Sequence, residues 1–289
     1  RAHVTFVAMG RYGGRECSYA SDADVIALHE PVGGASDSEA AASATAIVNR
    51  VKKLLGSATS QLGIVVDLDL RPEGKNGPMS RTIASHEEYA QRWASTWERQ
   101  AAVRARPIGS SDLDERARAL FESMAYREVS ESEVRDIRLL KARMENERLP
   151  RGSEPARHVK LGPGGLSDVE WTIQLIQMRH GARLPALRTP STTQAIAVAR
   201  DAGLLAAPDA EILLNAWDLA TRIRAGNTLA TGRMSGVKLD VVPRDSAELS
   251  ALAAILGYGS GGLTALEEDW LRAARQARNV MERAFWEQQ

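Results

Sequence analysis

Charge imbalance, cysteine, aromatic rings and long apolar runs are all scarce in this chain, and each scarcity removes a class of function. Lys+Arg 37 and Asp+Glu 37 cancel to a formal net charge of zero over 289 residues. That balance argues against a dedicated nucleic-acid binder. Aromatic residues make up 5%, too few for platforms that stack single-stranded bases. The one cysteine, Cys17, excludes a disulfide framework within the chain and fits a reducing compartment, the cytoplasm. Cys17 itself reads as a small buried packing residue. No apolar run reaches the length of a membrane span, and no charged-then-apolar signal segment opens the chain. His3, His29, His86, His158 and His180 show no zinc spacing and no His-Glu-x-x-His. There is no Gly-x-Gly-x-x-Gly, and Gly74-Lys75 lacks the earlier glycine of a Walker A loop and runs into Asn76.

What remains is a chain with 44% hydrophobic residues, enough to bury a core in one large domain or two ordinary ones. It enters the apolar run Val4–Met9 almost at once from Arg1, as expected of a piece cut from a longer protein. That run, Asp24–His29 and Gly63–Leu70 read as strands. Ala40–Leu55 reads as a helix with Ala44, Ile47, Val51 and Leu55 on its apolar stripe, and Glu87–Arg106 as one long helix. Gly33-Gly34 and Arg71–Pro78 are loop signals. Four further helical stripes follow: Val134, Ile137, Leu140 and Met144; Val169, Ile173 and Ile176; Leu213, Trp217, Ala220 and Arg224; and Leu266 through Phe285. Breaks are expected at Gly203, Gly226, Gly257 and Gly259–Gly262, with Ser191 and Thr192 as caps. Trp217, Trp270, Trp286 and Met281 read as core or interface. The fold class is α+β: a small mixed sheet with flanking helices over 1–110, then an all-α helical bundle over 111–289.

The chemistry gathers in the first part. Asp22 and Asp24 share a face if the segment is extended, because strand side chains alternate. Asp67, Asp69 and Arg71 share the polar face of the third strand, opposite Val66, Leu68 and Leu70. Asp-x-Asp alone is common on solvated loops. Two such faces on neighbouring strands would bring three or four carboxylates together, a donor set for Mg²⁺ or Mn²⁺ and enough for a two-ion site. The pattern is not an EF-hand, whose loop glycine and closing glutamate are missing. Gly10, Gly13 and Gly14 follow a strand and precede a short helical segment, where backbone N–H groups can approach phosphate; a plain tight turn is the competing reading. Glu98 and Arg99 beside Trp97 read either as an interdomain ion pair or as substrate contacts. Lys160 with Gly164 and Gly165 can meet phosphate, and Asp168 and Glu170 at the following helix start also complement its dipole.

Four blocks occur in order: Gly-Arg-Tyr-Gly-Gly-Arg-Glu-Cys-Ser-Tyr-Ala-Ser-Asp-Ala-Asp (10–24), Val-Asp-Leu-Asp-Leu-Arg-Pro-Glu-Gly-Lys-Asn-Gly-Pro (66–78), Trp-Glu-Arg-Gln-Ala (97–101) and Lys-Leu-Gly-Pro-Gly-Gly-Leu-Ser-Asp-Val-Glu-Trp (160–171). Over nearly its whole length the chain resembles the glutamine synthetase adenylyltransferase family, a branch of the polymerase-β-like nucleotidyltransferases. Members carry two similar catalytic halves, and this chain is the size of one. Its Ser-Asp-Val-Glu-Trp-Thr wording is closer to the C-terminal, adenylylating half of actinobacterial members. The resemblance implies Asp22, Asp24 and Asp67 as catalytic metal ligands. It implies Ser21, Gly13 and Gly14 as phosphate-loop positions, and Arg71, Glu73 and Gly77 as the next loop. Where other members often have arginine this chain has Asp69, which fits a supporting partner for Arg71.

The implied reaction moves AMP from ATP to a tyrosine hydroxyl of glutamine synthetase and releases pyrophosphate. The alternatives are phosphorolytic removal of AMP, giving ADP, and a silent half acting as nucleotide sensor or scaffold. Implied partners are glutamine synthetase, a PII signalling protein and the sibling half, with no nucleic acid and no membrane.

Overall fold

The computed structural model describes residues 1–19, 21–56, 63–259 and 262–287. The chain divides into two compact units. The first comprises Arg1–Cys17, Ser21–Val129 and Met178–Ser191; the second comprises Ser18–Ala20, Ser130–Gln177 and Thr192–Gln289. Among the described residues no helix is long and apolar enough to cross a membrane.

The first unit is built on a five-stranded mixed sheet. β1 (Ala2–Ala8) and β2 (Ala23–Pro31) pair antiparallel, from Ala2 opposite Pro31 to Ala8 opposite Val25. β3 (Val66–Asp67) and β4 (Ser80–Thr82) both run parallel to β2. β5 (Arg106–Pro107) closes the other side of β1. Between β1 and β2 lies the one-turn helix α1 (Gly10–Gly13). Gly10 and Gly13, expected to precede a helical segment, therefore lie within the helix, and Gly14 caps its end. α2 (Asp37–Gly56) covers one sheet face, where Val48 packs with Val25, Ala27, Val66 and Leu68. Its buried stripe is Ala40, Ala44 and Val48. Of the expected stripe only Ala44 is buried, while Ile47 and Leu55 are exposed. Small residues at every fourth position let this helix lie close to the strands, and the larger apolar side chains fall outside that contact.

The expected long helix over 87–106 is instead α3 (Ile83–Arg92), α4 (Thr96–Ala102) and the strand β5. The break follows from Ser95 and Glu98. Each side chain bonds the other's backbone N–H, which starts a new helix. α5 (Asp112–Ala125) begins with a similar reciprocal cap, Ser111 and Asp114. Asp114 also accepts a hydrogen bond from the Thr5 hydroxyl. Thus α5, which lies beyond the 110/111 boundary read from the sequence, packs on β1 within the first unit.

His86 of α3 is buried, with its ring edge-on to Phe121 at 5.2 Å between centroids. Burial, helped by the charge of Arg81, pushes its pKa down to about 4. The folded ring stays neutral while the unfolded chain takes up a proton near pH 6.5. Stability is therefore fully present above about pH 6.5 and is lost as pH falls toward 4, by up to about 3 kcal/mol. Denaturant unfolding of His86→Leu beside the parent over this window should show a flatter pH dependence for the variant. Parallel curves would refute the assignment.

The second unit is helical: α6 (Glu131–Glu147), the start of α7 (Leu166–His180), α8 (Thr192–Asp201), α9 (Ala207–Thr231), α10 (Ser246–Ile255) and α11 (Gly262–Met281), which ends in a π turn over Glu282–Trp286. α9 packs on α10 and α11. Leu213, Trp217 and Ala220 of α9 are buried, as are Leu266, Trp270, Ala274, Ala277 and Met281 of α11 and Phe285 of the turn. α8 begins directly after Ser191. Gly203 and Gly257 follow helix ends with positive φ, 70° and 85°. Gly226 does not break α9. An added Cβ there would lie 2.6 Å from Leu252 Cδ1, so the glycine admits α10 to close contact. The expected break at Gly259–Gly262 lies partly outside the described residues; α11 starts at Gly262.

Candidate metal centre

The site forms where β1, β2 and β3 end together. β2 and β3 are parallel with Ala23 beside Val66 and Asp24 beside Asp67. Side chains adjacent in such a register point the same way. Val66 turns with Val25 toward the α2 core, so Asp24 and Asp67 turn together to the opposite face. Asp22 precedes the strand, and the Ala23 N–H donates to the Val65 carbonyl at 2.8 Å, fixing this end of β2. Asp22, Asp24 and Asp67 each offer a carboxylate oxygen within 4.8 Å of the others. At about that spacing two like charges repel by roughly 1 kcal/mol in water and about 4 at a typical protein-surface dielectric. Three oxygen-only anionic donors at this distance suit a hard divalent cation, which would offset that repulsion.

The polar face expected of Asp67, Asp69 and Arg71 is shorter than the sequence pattern suggests. The strand ends at Asp67. The Asp69 N–H donates to Asp67 Oδ1 at 2.6 Å and the Arg71 N–H to the Leu68 carbonyl at 3.0 Å, so the chain turns. Asp69 is carried away from the trio and meets Lys75 at 3.2 Å and Arg71 at 3.8 Å. The Asp67 carboxylate is oriented by the same turn. Arg71 ties the loop to itself, donating to the carbonyls of Leu68, Lys75 and Gly77. Glu73, at positive φ, pairs with Arg81 at 2.7 Å. A Cβ on Gly77 would lie 2.1 Å from the Pro72 carbonyl oxygen. Arg71, Glu73 and Gly77 thus organise the loop that follows β3.

The glycine turn backs the carboxylates. Gly10 has φ +50°, and a Cβ there would lie 2.7 Å from Asp24 Oδ2. A Cβ on Gly13 would lie 1.8 Å from the Arg104 carbonyl oxygen, and one on Gly14 would crowd the Arg104 guanidinium, Glu16 and the Pro190 carbonyl. Ser21 is half-buried and hydrogen-bonds the Cys17 thiol. Cys17 is exposed, contrary to the packing role read from the sequence, because it sits in the loop between α1 and β2 and not in the sheet. Its thiol is held above the ordinary value, first by partial desolvation and then by Asp24 and Asp22; Arg11 and Ser21 oppose the shift.

Residues the motifs did not single out hold this turn. The Arg104 Nε donates to the Gly10 carbonyl at 3.0 Å, and Arg104 pairs with Glu16 at 2.6 Å. Arg106 donates to the carbonyls of Gly13 and Tyr12 at 2.8 and 2.9 Å. The available signal was two arginines spaced two apart just before Pro107.

Glu98 and Arg99 have partners within the first unit. Glu98 caps its own helix and accepts from the Tyr89 hydroxyl at 2.8 Å. Arg99 is buried and donates to the Met124 carbonyl near the end of α5. In the second unit Lys160 is exposed. A Cβ on Gly164 would lie 1.8 Å from the Ala274 carbonyl oxygen, and one on Gly165 2.6 Å from that of Val159, so these glycines serve close packing there. Asp168 is buried and ion-paired with Lys141 and Arg278, while Glu170 is half-buried on α7.

Comparison with known proteins adds two family models. That described as glutamate-ammonia ligase adenylyltransferase matches residues 1–121. That described as GlnD PII-uridylyltransferase matches residues 138–285. A bifunctional glutamine synthetase adenylyltransferase/adenylyl-removing enzyme of Streptomyces coelicolor is 46% identical over 283 residues, 97% of this chain and 28% of the relative. A protein of the same name from Bifidobacterium longum subsp. infantis is 45% identical over 295 residues, 99% and 27%. One from Mycolicibacterium smegmatis is 40% identical over 287 residues, 98% and 28%. The chain thus spans little more than a quarter of the length of these relatives.

Proposed function

This chain belongs to the glutamine synthetase adenylyltransferase family, its residues 138–285 being of the kind the GlnD PII-uridylyltransferase model describes, and from that premise we propose that it is the half of such a protein that moves AMP from ATP to a tyrosine hydroxyl of glutamine synthetase, releasing pyrophosphate. The observation that carries the reading is the convergence of Asp22, Asp24 and Asp67 within 4.8 Å. These residues would hold Mg²⁺ or Mn²⁺. A cation held there would supply neutralisation of triphosphate charge.

The remaining work belongs to the chain itself. Gly10, Gly13, Gly14 and Ser21 would present the turn to the phosphates, with Arg71, Glu73 and Gly77 shaping the loop on the far side of Asp67. A tyrosine hydroxyl has a pKa near 10, so its proton needs an acceptor. Asp67, held by the Asp69 N–H, is the carboxylate we assign to it. Catalysis would then be chiefly positioning and charge compensation. Asp69, Glu98 and Arg99 are proposed as supports within the first unit; within the second, Lys160, Gly164 and Gly165 are proposed as a phosphate contact of that unit's own, with Asp168 and Glu170 as supports. The nucleotidyltransferase part is taken as 1–110 and the helical part as 111–289. The reading calls for glutamine synthetase, a sibling half and a PII signalling protein as partners, in the cytoplasm.

Incubating the chain with labelled ATP, Mg²⁺ and unmodified glutamine synthetase should place labelled AMP on a tyrosine and release pyrophosphate. Formation of ADP from adenylylated synthetase and phosphate, without incorporation from ATP, would reverse the assigned direction. Neither reaction would leave the scaffold reading.

A further inference from the structure

We propose that Arg104 is a positioning residue for the carboxylate site, acting through the backbone of Gly10; the proposal rests on the nucleotidyl-transfer reading above. Gly10, Tyr12 and Gly13, three residues of the four-residue helix α1, have their carbonyls bonded by guanidinium groups from one short segment. Arg104 takes Gly10 at 3.0 Å, and Arg106 takes Gly13 and Tyr12 at 2.8 and 2.9 Å. The Arg104 side chain is only 5% exposed, and its terminal nitrogen meets Glu16 at 2.6 Å. Glu16 also accepts from the Ser191 hydroxyl at 3.4 Å. The main chain of Arg104 is equally confined, since its carbonyl oxygen occupies the place where Gly13 would carry a Cβ.

On its other side Gly10 abuts Asp24. The position of a Gly10 Cβ lies 2.7 Å from Asp24 Oδ2. Contacts therefore run from Glu16 through Arg104 and Gly10 to a carboxylate of the trio. Burying an arginine–glutamate pair costs desolvation, and an apolar residue of similar volume fills space at no such cost. What the arginine adds is a rigid planar fork that fixes two oxygens at once. Here those oxygens are the Gly10 carbonyl and the Glu16 carboxylate. With the fork removed, the Gly10 carbonyl keeps the Gly14 N–H at 3.2 Å but loses its side-chain anchor, and the Asp24 carboxylate, whose backbone stays in register with Asp67, loses a fixed wall behind Oδ2. Groups that orient metal ligands from behind are worth about 10–100-fold in affinity or rate.

The test reads Mn²⁺ alone, by electron paramagnetic resonance of the free ion over the full chain, alongside AMP transfer. R104Q should weaken Mn²⁺ binding about tenfold and lower kcat about 10–100-fold, with KM for glutamine synthetase changed less than about threefold. R104K keeps a cation facing Glu16 and loses the planar Nε donor to Gly10. It should retain the fold by circular dichroism and still bind Mn²⁺ more weakly than the parent, so it decides the matter if R104Q does not fold. E16Q keeps the Gly10 bond and should lose less than R104Q. Parent-like Mn²⁺ binding by a folded R104K overturns the proposal, and so does an E16Q loss equal to that of R104Q. Because Mn²⁺ binding is measured without ATP or glutamine synthetase, absence of AMP transfer by the parent sinks the functional reading and leaves the metal readout to judge Arg104.

Discussion

The double substitution Asp22→Asn with Asp24→Asn is expected to lower AMP transfer by about a thousandfold or more, a loss of about 4 kcal/mol in transition-state stabilisation. Asparagine has nearly the shape of aspartate, so the sheet register that sets Asp24 beside Asp67 should persist. What disappears is negative charge. Three carboxylates within 4.8 Å become one carboxylate and two amides, and the repulsion between them is removed. The variant should therefore melt at or above the parent temperature without divalent ions. Adding Mg²⁺ should raise the melting temperature of the parent, because an ion that binds only the folded state stabilises it by mass action. The variant should show little or none of that rise. Incorporation of labelled AMP and thermal melts with and without Mg²⁺ check both halves of the expectation. Unchanged transfer refutes the assigned site; unchanged Mg²⁺ stabilisation refutes its role as a cation site. A lowered melting temperature without ions would mean that the carboxylates hold the fold, which the like-charge argument forbids.

The shared face of Asp24 and Asp67 was legible in the sequence because strand periodicity is local, while Asp22 lies one residue before β2. Asp22 and Asp24 are two apart, and Val66 and Leu68 declare by their apolarity which face Asp67 must avoid. That pattern does not say where a strand stops. Asp69 stands at the right spacing to share the face, yet a hydrogen bond from its own N–H to the Asp67 carboxylate ends the strand first. The split of α3 from α4 was written in Ser95 and Glu98, a capping signature inside an otherwise helical run. Gly226 shows the opposite failure. Its lack of a side chain serves the approach of Leu252 from α10, a long-range contact that no local pattern encodes. Arg104 and Glu16 were hidden for the same reason, since 88 positions separate them along the chain. Long-range ion pairs become visible only once the sheet has brought β5 beside β1.

Asp168→Ala is expected to destabilise the second unit by about 3–5 kcal/mol, the cost of leaving a buried charge without its partner. The stripe read along α6 was Val134, Ile137, Leu140 and Met144. The third buried position is in fact Lys141, whose side chain and that of Asp168 are each 1% exposed. Lys141 Nζ lies 2.6 Å from Asp168 Oδ1, and Arg278 lies 3.1 Å from Oδ2. Glu145 bridges the same two cations at 2.8 and 2.7 Å. Burial works to lower the Arg278 pKa, but hydrogen bonds and charge from these two carboxylates hold it above its ordinary value; Glu282 lies 2.6 Å from the same guanidinium. Asp168 Oδ2 also accepts the Gly164 N–H at 2.7 Å, so one carboxylate ties α6, α11 and the glycine loop before α7. Removing it strands the Lys141 ammonium with Glu145 alone and leaves a buried N–H without an acceptor. Denaturant unfolding followed by tryptophan fluorescence reports this directly, since Trp217 and Trp270 are buried in the same unit. Asp168→Asn keeps an acceptor for Gly164 and should lose less. In a double-mutant cycle with Lys141→Met the coupling should reach about 2 kcal/mol. A substrate-binding role for Asp168 makes the opposite forecast: a raised KM for ATP with stability within about 0.5 kcal/mol of the parent. The two variants and the cycle distinguish these outcomes, and a stability loss below about 1 kcal/mol in Asp168→Ala would refute the structural assignment.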